Sequence, residues 1–301
     1  MTRTMRIEAL SLVIPVTVRH AEIRRFISDD VYKENDIQHS SFIIKKTPEE
    51  RKNAMGKIIA VVSGKGGTGK TSFAANTGLA LAHMGYQVLC LDCDITLRNL
   101  DLALGLSDRT LMDFSDVAAG RCSLQEALVQ HSIEENLFLL AAPLVTGDLA
   151  VTAAEMADLG REIRDTFDFC LVDSPAGLGQ GFRLAADLAD RAVVITTTDT
   201  SALRDAQRTV MELYRFPEGC VHLVVNRVRR RELKQLHTTI DDAIDTSGAP
   251  LLGIVPEDRD LPYCLNQGII LRQYSYYAAQ AYDHIAKRLA GETAPLMKIS
   301  R

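Results

Sequence analysis

The sequence predicts a doubly wound α/β fold: a mostly parallel sheet with helices on both faces. Three observations lead there. Strand-like and helix-like stretches alternate from residue 57 to residue 290. Most of the strand-like stretches are continuous apolar runs, as expected when helices cover both faces of a parallel sheet. And the first of them, Ile58-Ile59-Ala60-Val61-Val62, feeds a glycine-rich turn that opens directly into a helical pattern, Phe73 to Ala82.

The predicted strands lie at 57–62, 87–92, 137–141, 168–173, 191–196, 220–225 and 250–254. Helices are predicted near 70–84, 123–130, 152–165, 180–188, 201–214, 231–245 and 275–290. In such a fold the ligand sits at the carboxyl ends of the strands. Residues 1–54 differ: their one apolar run, Leu10 to Val18, carries Pro15 and follows Glu8, which does not suit a signal-peptide core. They are read as an N-terminal extension outside the fold, with the main domain over 55–291 and a short tail over 292–301.

Composition narrows the function classes. With 47% apolar and 24% charged residues the chain has the make-up of an ordinary globular domain, and a net charge of −5 argues against a general nucleic-acid binder. No apolar run approaches the roughly 18 residues that span a membrane. The cysteines are scattered, several within strand-like runs, which suits a reduced, cytoplasmic protein. Cys90-Leu91-Asp92-Cys93 spells C-x-x-C without a second pair at metal spacing, so it is read as strand packing.

The turn after the first strand reads Ser63-Gly64-Lys65-Gly66-Gly67-Thr68-Gly69-Lys70-Thr71-Ser72. Gly64, Gly66, Gly67 and Gly69 allow successive N–H groups, Thr68 included, to face phosphate oxygens, and the helix that follows adds the positive end of its dipole. Lys70 can reach the β- and γ-phosphates, and the hydroxyl of Thr71, next to Ser72, can ligate Mg²⁺. Two further strands end in carboxylates. Asp92 and Asp94 close one; a carboxylate there can orient a water for attack on a γ-phosphate. Asp173 closes another, where it can hold Mg²⁺. A third strand ends in Asn226, whose amide suits the edge of an adenine. Arg227, Arg229, Arg230, Arg231 and Lys234 form a basic cluster whose default reading is a solvated helix start.

Gly-Lys-Gly-Gly-Thr-Gly-Lys-Thr, with its second lysine, resembles the deviant Walker A motif of the MinD/ParA family of dimerising ATPases, a P-loop NTPase (SIMIBI-like) family. The resemblance spans about residues 55–295 and is nearest to the MinD branch. Asp94-Ile-Thr-Leu-Arg-Asn-Leu-Asp101 looks like that branch's switch I, and Asp173-Ser-Pro-Ala-Gly177 like its switch II. The resemblance implies an ATP- and Mg²⁺-dependent homodimer in which Lys65 crosses to the partner's nucleotide. It also implies that Asp94 is catalytic, that Asp92 supports it and the Mg²⁺ shell, and that Asn226, Pro256 and Asp258 surround the base. The implied role is spatial regulation of cell division, with MinC-like and MinE-like regulators.

Several positions depart from the family pattern. Thr96 replaces a glycine, Gly179 a common glutamate, Gln207 an aspartate and Arg230 a proline. After Gly291 the family's basic amphipathic membrane helix is not expected, because Pro295 interrupts the remaining residues; any contact with the inner face of the cell membrane would be peripheral, and DNA is not an expected partner. The rival within the superfamily is a ParA-like or flagellar-number positioning ATPase. A metal-cluster carrier of the nitrogenase-iron-protein type would need a pair of cluster cysteines.

Overall fold

A computed structural model describes residues 55–144, 151–236 and 239–299, so the extension predicted over 1–54 lies outside the described residues. The strands are β1 (Lys57–Val62), β2 (Val88–Asp92), β3 (Val129–Gln130), β4 (Leu137–Leu140), β5 (Phe169–Asp173), β6 (Arg191–Thr196), β7 (Val221–Val228) and β8 (Leu251–Pro256). They form one sheet in the order β3-β4-β2-β5-β1-β6-β7-β8. Every pairing is parallel except that of β3 with β4.

Alternate residues of each strand feed two separate cores. Ile59, Val61, Cys90, Leu171 and Val193 pack on one face, and Ile58, Ala60, Leu89, Val172 and Val194 on the other. Both faces are dry, so the strands read as unbroken apolar runs rather than as alternating ones. The first face is covered chiefly by α1 (Lys70–His83), α2 (Leu100–Ala103), α10 (Leu261–Gln267) and α11 (Tyr276–Leu289). The second is covered by α3 (Phe114–Ala118), α4 (Leu124–Ala127), α5 (Ala153–Thr166), α6 (Gln180–Leu188), α7 (Thr200–Glu212), α8 (Arg230–Leu236) and α9 (Ile240–Ser247).

The predicted elements recur with two differences. The helix expected over 231–245 is two helices, because Thr239 starts a new one: its side chain accepts from the Asp242 N–H while Asp242 reaches back to the Thr239 N–H. The helix expected over 123–130 stops at Ala127, and Val129–Gln130 turns to pair antiparallel with β4 at the sheet edge. The tail is not helical over Glu292–Ile299. Ala294 and Met297 are buried, Arg288 donates to the Ala294 carbonyl at 2.7 Å, and the Tyr277 hydroxyl donates to the Lys298 carbonyl. Among the described residues no helix is long and apolar enough to cross a membrane.

The register fixes the site. Asp173 at the end of β5 stands beside Val61 of β1 and beside Asp92 of β2. The two carboxylates that sequence placed at strand ends are therefore neighbours, next to the turn that follows β1.

Candidate nucleotide site

The turn from Ser63 to Gly69 ends at an unusual helix start. Gly69 takes the N-cap position of α1 at φ 95°, and no side chain caps the helix. A side chain at Gly69 would also place its Cβ 2.3 Å from the Asn226 amide, so glycine is required there on both counts. The free N–H groups of the first turn are thus left to bind an anion rather than a capping residue.

Lys70 is buried, and its Nζ donates to the Ser63 hydroxyl at 2.9 Å. Burial pulls its pKa down, against the opposing pull of Asp173 and Asp94, so the ammonium lacks the compensation it would have in water. Thr71 Oγ1 donates to Asp173 Oδ2 at 2.6 Å. The other oxygen of Asp173, Oδ1, is buried and has no protein partner. Burial pushes the Asp173 carboxyl up to about 7, although the Thr71 hydroxyl and Lys70 act the other way. A hard cation would relieve both the unpartnered oxygen and the cost of ionisation, so Thr71 and Asp173 fit Mg²⁺.

Asp92, expected to support Asp94 and the Mg²⁺ shell, holds the segment that carries Asp94. Its Oδ1 accepts the Asp94 N–H at 2.8 Å and its Oδ2 the Leu100 N–H at 3.2 Å. Both oxygens therefore staple the segment 94–100 to β2. Burial and the neighbouring Asp173 push its carboxyl up to about 8. Asp94 is half-buried, and its Oδ1 accepts the N–H groups of Thr96 and Leu97, each at 3.1 Å. Thr96 itself is exposed.

Lys65 leaves the loop. Its Nζ meets the Ser201 hydroxyl at 2.8 Å and Asp199 Oδ1 at 3.4 Å, at the start of α7. Burial alone would raise the Asp199 carboxyl, but hydrogen bonds from Thr197, Ser201 and the Ala202 N–H, with Lys65 nearby, hold it well below the usual range. Asn226 is buried; its Nδ2 donates to the Thr68 carbonyl at 2.7 Å, while its Oδ1 has no partner. The donor expected for the adenine edge is thus committed to the loop, and an acceptor remains. Thr68 Oγ1 is buried and unpartnered as well.

Pro256 is buried at the end of β8, and Asp258 turns inward to the Asp260 N–H and the Ser275 hydroxyl. Glu257 between them pairs with Arg227 at 2.9 Å and Arg229 at 3.1 Å. A cavity of about 270 Å³ opens beside the loop, lined by Lys65, Gly66, Gly67, Thr68, Thr197, Thr198, Asp199, Arg227, Arg229, Glu232 and Glu257. A larger hollow of about 670 Å³ lies along the β3 edge beside Arg109 and His131, with none of the phosphate-loop residues in its lining.

A family profile described as ParA, NUBPL iron-transfer P-loop NTPase, matches residues 54–290. The chain belongs to the ParA family. Among its relatives, the septum site-determining protein MinD of Synechocystis is 39% identical over 247 residues, 81% of this chain and 92% of that protein. Of solved structures, the MinC:MinD cell division protein complex of Aquifex aeolicus matches with a TM-score of 0.75 and 35% identity, over 81% of this chain and 99% of that one. MinD of Pyrococcus horikoshii complexed with Mg-ADP gives 0.69 and 31%, over 78% and 96%.

Cys90 belongs to one sheet face and Cys93 to the other, so the two cannot close on one ion, and the strand-packing reading describes them. Sequence reasoning missed Glu257 as a binding partner of Arg227 and Arg229, and missed Asp199 and Ser201 as partners of Lys65. The Asp199 position had a legible signal: an aspartate just before a helical pattern is an N-cap. The departures at Gln207 and Arg230 lie exposed, as does Arg231 of the basic cluster, and Gly179 is the N-cap residue of α6. The Lys234 side chain lies outside the described residues.

Proposed function

We propose that this ParA-family chain is a MinD-like, Mg²⁺-dependent ATPase that acts in septum-site determination and closes into a homodimer on binding ATP. The observation that carries the reading is the uncapped start of α1, with Lys70 and Thr71 in its first turn, facing the Asp173 carboxylate. The similarity to MinD proteins of the same length class supports the division role.

In this reading the N–H groups of residues 66–71 and the Lys70 ammonium bind the phosphates, and the attraction between the ammonium and the phosphates is strengthened by its dry surroundings. Thr71 and Asp173 would hold Mg²⁺, whose chemistry is to neutralise charge on the β- and γ-phosphate oxygens. Asp94 orients and deprotonates the attacking water, once its turn with Thr96 and Leu97 releases the carboxylate. Asn226 Oδ1 accepts from the adenine amino group, and Pro256 and Asp258 shape the base side of the site. Lys65 leaves Asp199 and Ser201 to meet the partner's nucleotide. The MinC:MinD complex among the structural neighbours supports a MinC-like partner; a MinE-like regulator is inferred from family resemblance. Residues 1–54 are proposed to lie outside the catalytic domain, so their removal should spare turnover.

The test is ATP turnover and light scattering of wild type and Lys70→Ala, with co-sedimentation on anionic liposomes and, separately, on DNA. Wild type should hydrolyse ATP and double in mass with ATP and not with ADP, and Lys70→Ala should do neither. ATP-dependent sedimentation with DNA would favour a partition function instead.

A further inference from the structure

Two consecutive residues near the end of β7, Asn226 and Arg227, reach the phosphate loop from outside. Asn226 Nδ2 donates to the Thr68 carbonyl at 2.7 Å, and Arg227 donates to the Gly67 carbonyl at 3.1 Å. These are consecutive peptide units. In a trans peptide the C=O of one residue and the N–H of the next point in opposite directions. Holding the Gly67 and Thr68 carbonyls toward β7 therefore aims the N–H groups of Thr68 and Gly69 the other way, into the turn.

Arg227 is arranged for this at a conformational cost. Its backbone sits at φ 57°, a region that residues with a Cβ seldom adopt, and Arg98 is the other such residue among those described. Its Nε and its other terminal nitrogen donate to Glu257, at 2.9 and 3.3 Å, so the guanidinium is held between a carbonyl and a carboxylate. Glu257 is also held by Arg229. A fork of donors can satisfy a carbonyl and a carboxylate together; a lysine ammonium cannot hold that planar geometry.

We infer that Arg227 is a positioning residue for the nucleotide: with Asn226 it braces the Gly67–Thr68–Gly69 peptides so that their N–H groups are pre-aimed at phosphate. It acts through the loop rather than by touching the ligand. The inference rests on the phosphate-site reading of that loop. Its specific consequence is that Arg227, unlike Asn226, serves the polyphosphate end of a nucleotide and not the nucleoside.

Arg227→Gly separates bracing from folding, because glycine adopts φ near +57° without strain. Full-length wild type, Arg227→Gly, Arg227→Lys and Lys70→Ala are titrated with ADP and with AMP in the presence of Mg²⁺, and melted without nucleotide. Arg227→Gly should melt at or above the wild-type temperature, yet bind ADP roughly fivefold more weakly, the scale of one ordinary hydrogen bond. Its preference for ADP over AMP should shrink, and Arg227→Lys should recover only part of the loss. In turnover the change should fall on KM more than on kcat. Wild-type ADP affinity and ADP/AMP preference in Arg227→Gly would overturn the brace, as would a lower melting temperature with unchanged affinity. Equal ADP binding by wild type and Lys70→Ala would overturn the phosphate-site reading itself, and the brace with it.

Discussion

The Thr71 hydroxyl donates to Asp173 Oδ2 at 2.6 Å, joining the first turn of α1 to the end of β5 and leaving Asp173 Oδ1 buried without a partner. Removing the hydroxyl deprives a dry carboxylate of its donor. Thr71→Ala should cost about 1–2 kcal/mol of stability without nucleotide, measured by urea unfolding. It should also remove most of the stabilisation that Mg-ADP adds over ADP alone. Thr71→Ser should restore both.

Lys65 and Asp199 are each about half exposed, at 45% and 48% of the side chain, so their ion pair contributes at most about 1 kcal/mol. The contact is cheap to break, which suits a residue that must change partners. Lys65→Ala should bind nucleotide as a monomer with little change in melting temperature, and should fail to dimerise with ATP. An ATP-induced dimer of this variant in light scattering would remove Lys65 from the interface.

Gly105 and Gly268 cross backbone on backbone. A Cβ on Gly268 would stand 2.2 Å from the Gly105 Cα, and both residues have positive φ, 68° and 61°. The contact ties the segment that follows Asp94 to the loop that follows Pro256, through α2 and α10. Gly268→Ala should destabilise by about 3 kcal/mol, from backbone strain and overpacking together. Gly120→Ala is the control: φ is again 68°, but nothing lies within 4 Å of the added Cβ, so only the strain of about 1 kcal/mol should appear. Urea midpoints measure both.

His131 is buried beside β3, and its Nδ1 accepts the N–H groups of Ile133, at 3.3 Å, and Glu134, at 3.0 Å. Burial, and then Arg109, lowers its pKa below the ordinary 6.5. Below that pH the unfolded chain binds a proton that the folded chain resists, so the stabilisation present at neutral pH is lost as pH falls. His131→Asn keeps an acceptor for the turn and does not titrate. The wild-type melting temperature should fall more steeply than that of the variant between pH 7 and pH 5.

Much of the fold was legible because its signals are local. Each central strand is dry on both faces, so its sequence is a continuous apolar run, and the residues after β1 must be glycine-rich for the chain to enter α1 without a side-chain cap. Thr239 and Asp242 also carried a local signal, a capping pair, which divides one expected helix into two. The edge pairing of Val129–Gln130 had no such signal, since two residues hold no periodicity.

The sequence by itself determined the phosphate loop, the carboxylates at the ends of β2 and β5 and the family, because a motif and its flanking strand and helix are neighbours along the chain. The tertiary structure decided what each side chain is committed to. Strand register set Asp92 beside Asp173, yet turned both oxygens of Asp92 to backbone N–H groups. It placed Ser201 under Lys65 across 136 residues and Arg227 on the Gly67 carbonyl across 160. Such pairings depend on which strands become neighbours in the sheet, and parallel crossovers bring together residues whose spacing along the chain carries no trace of their contact.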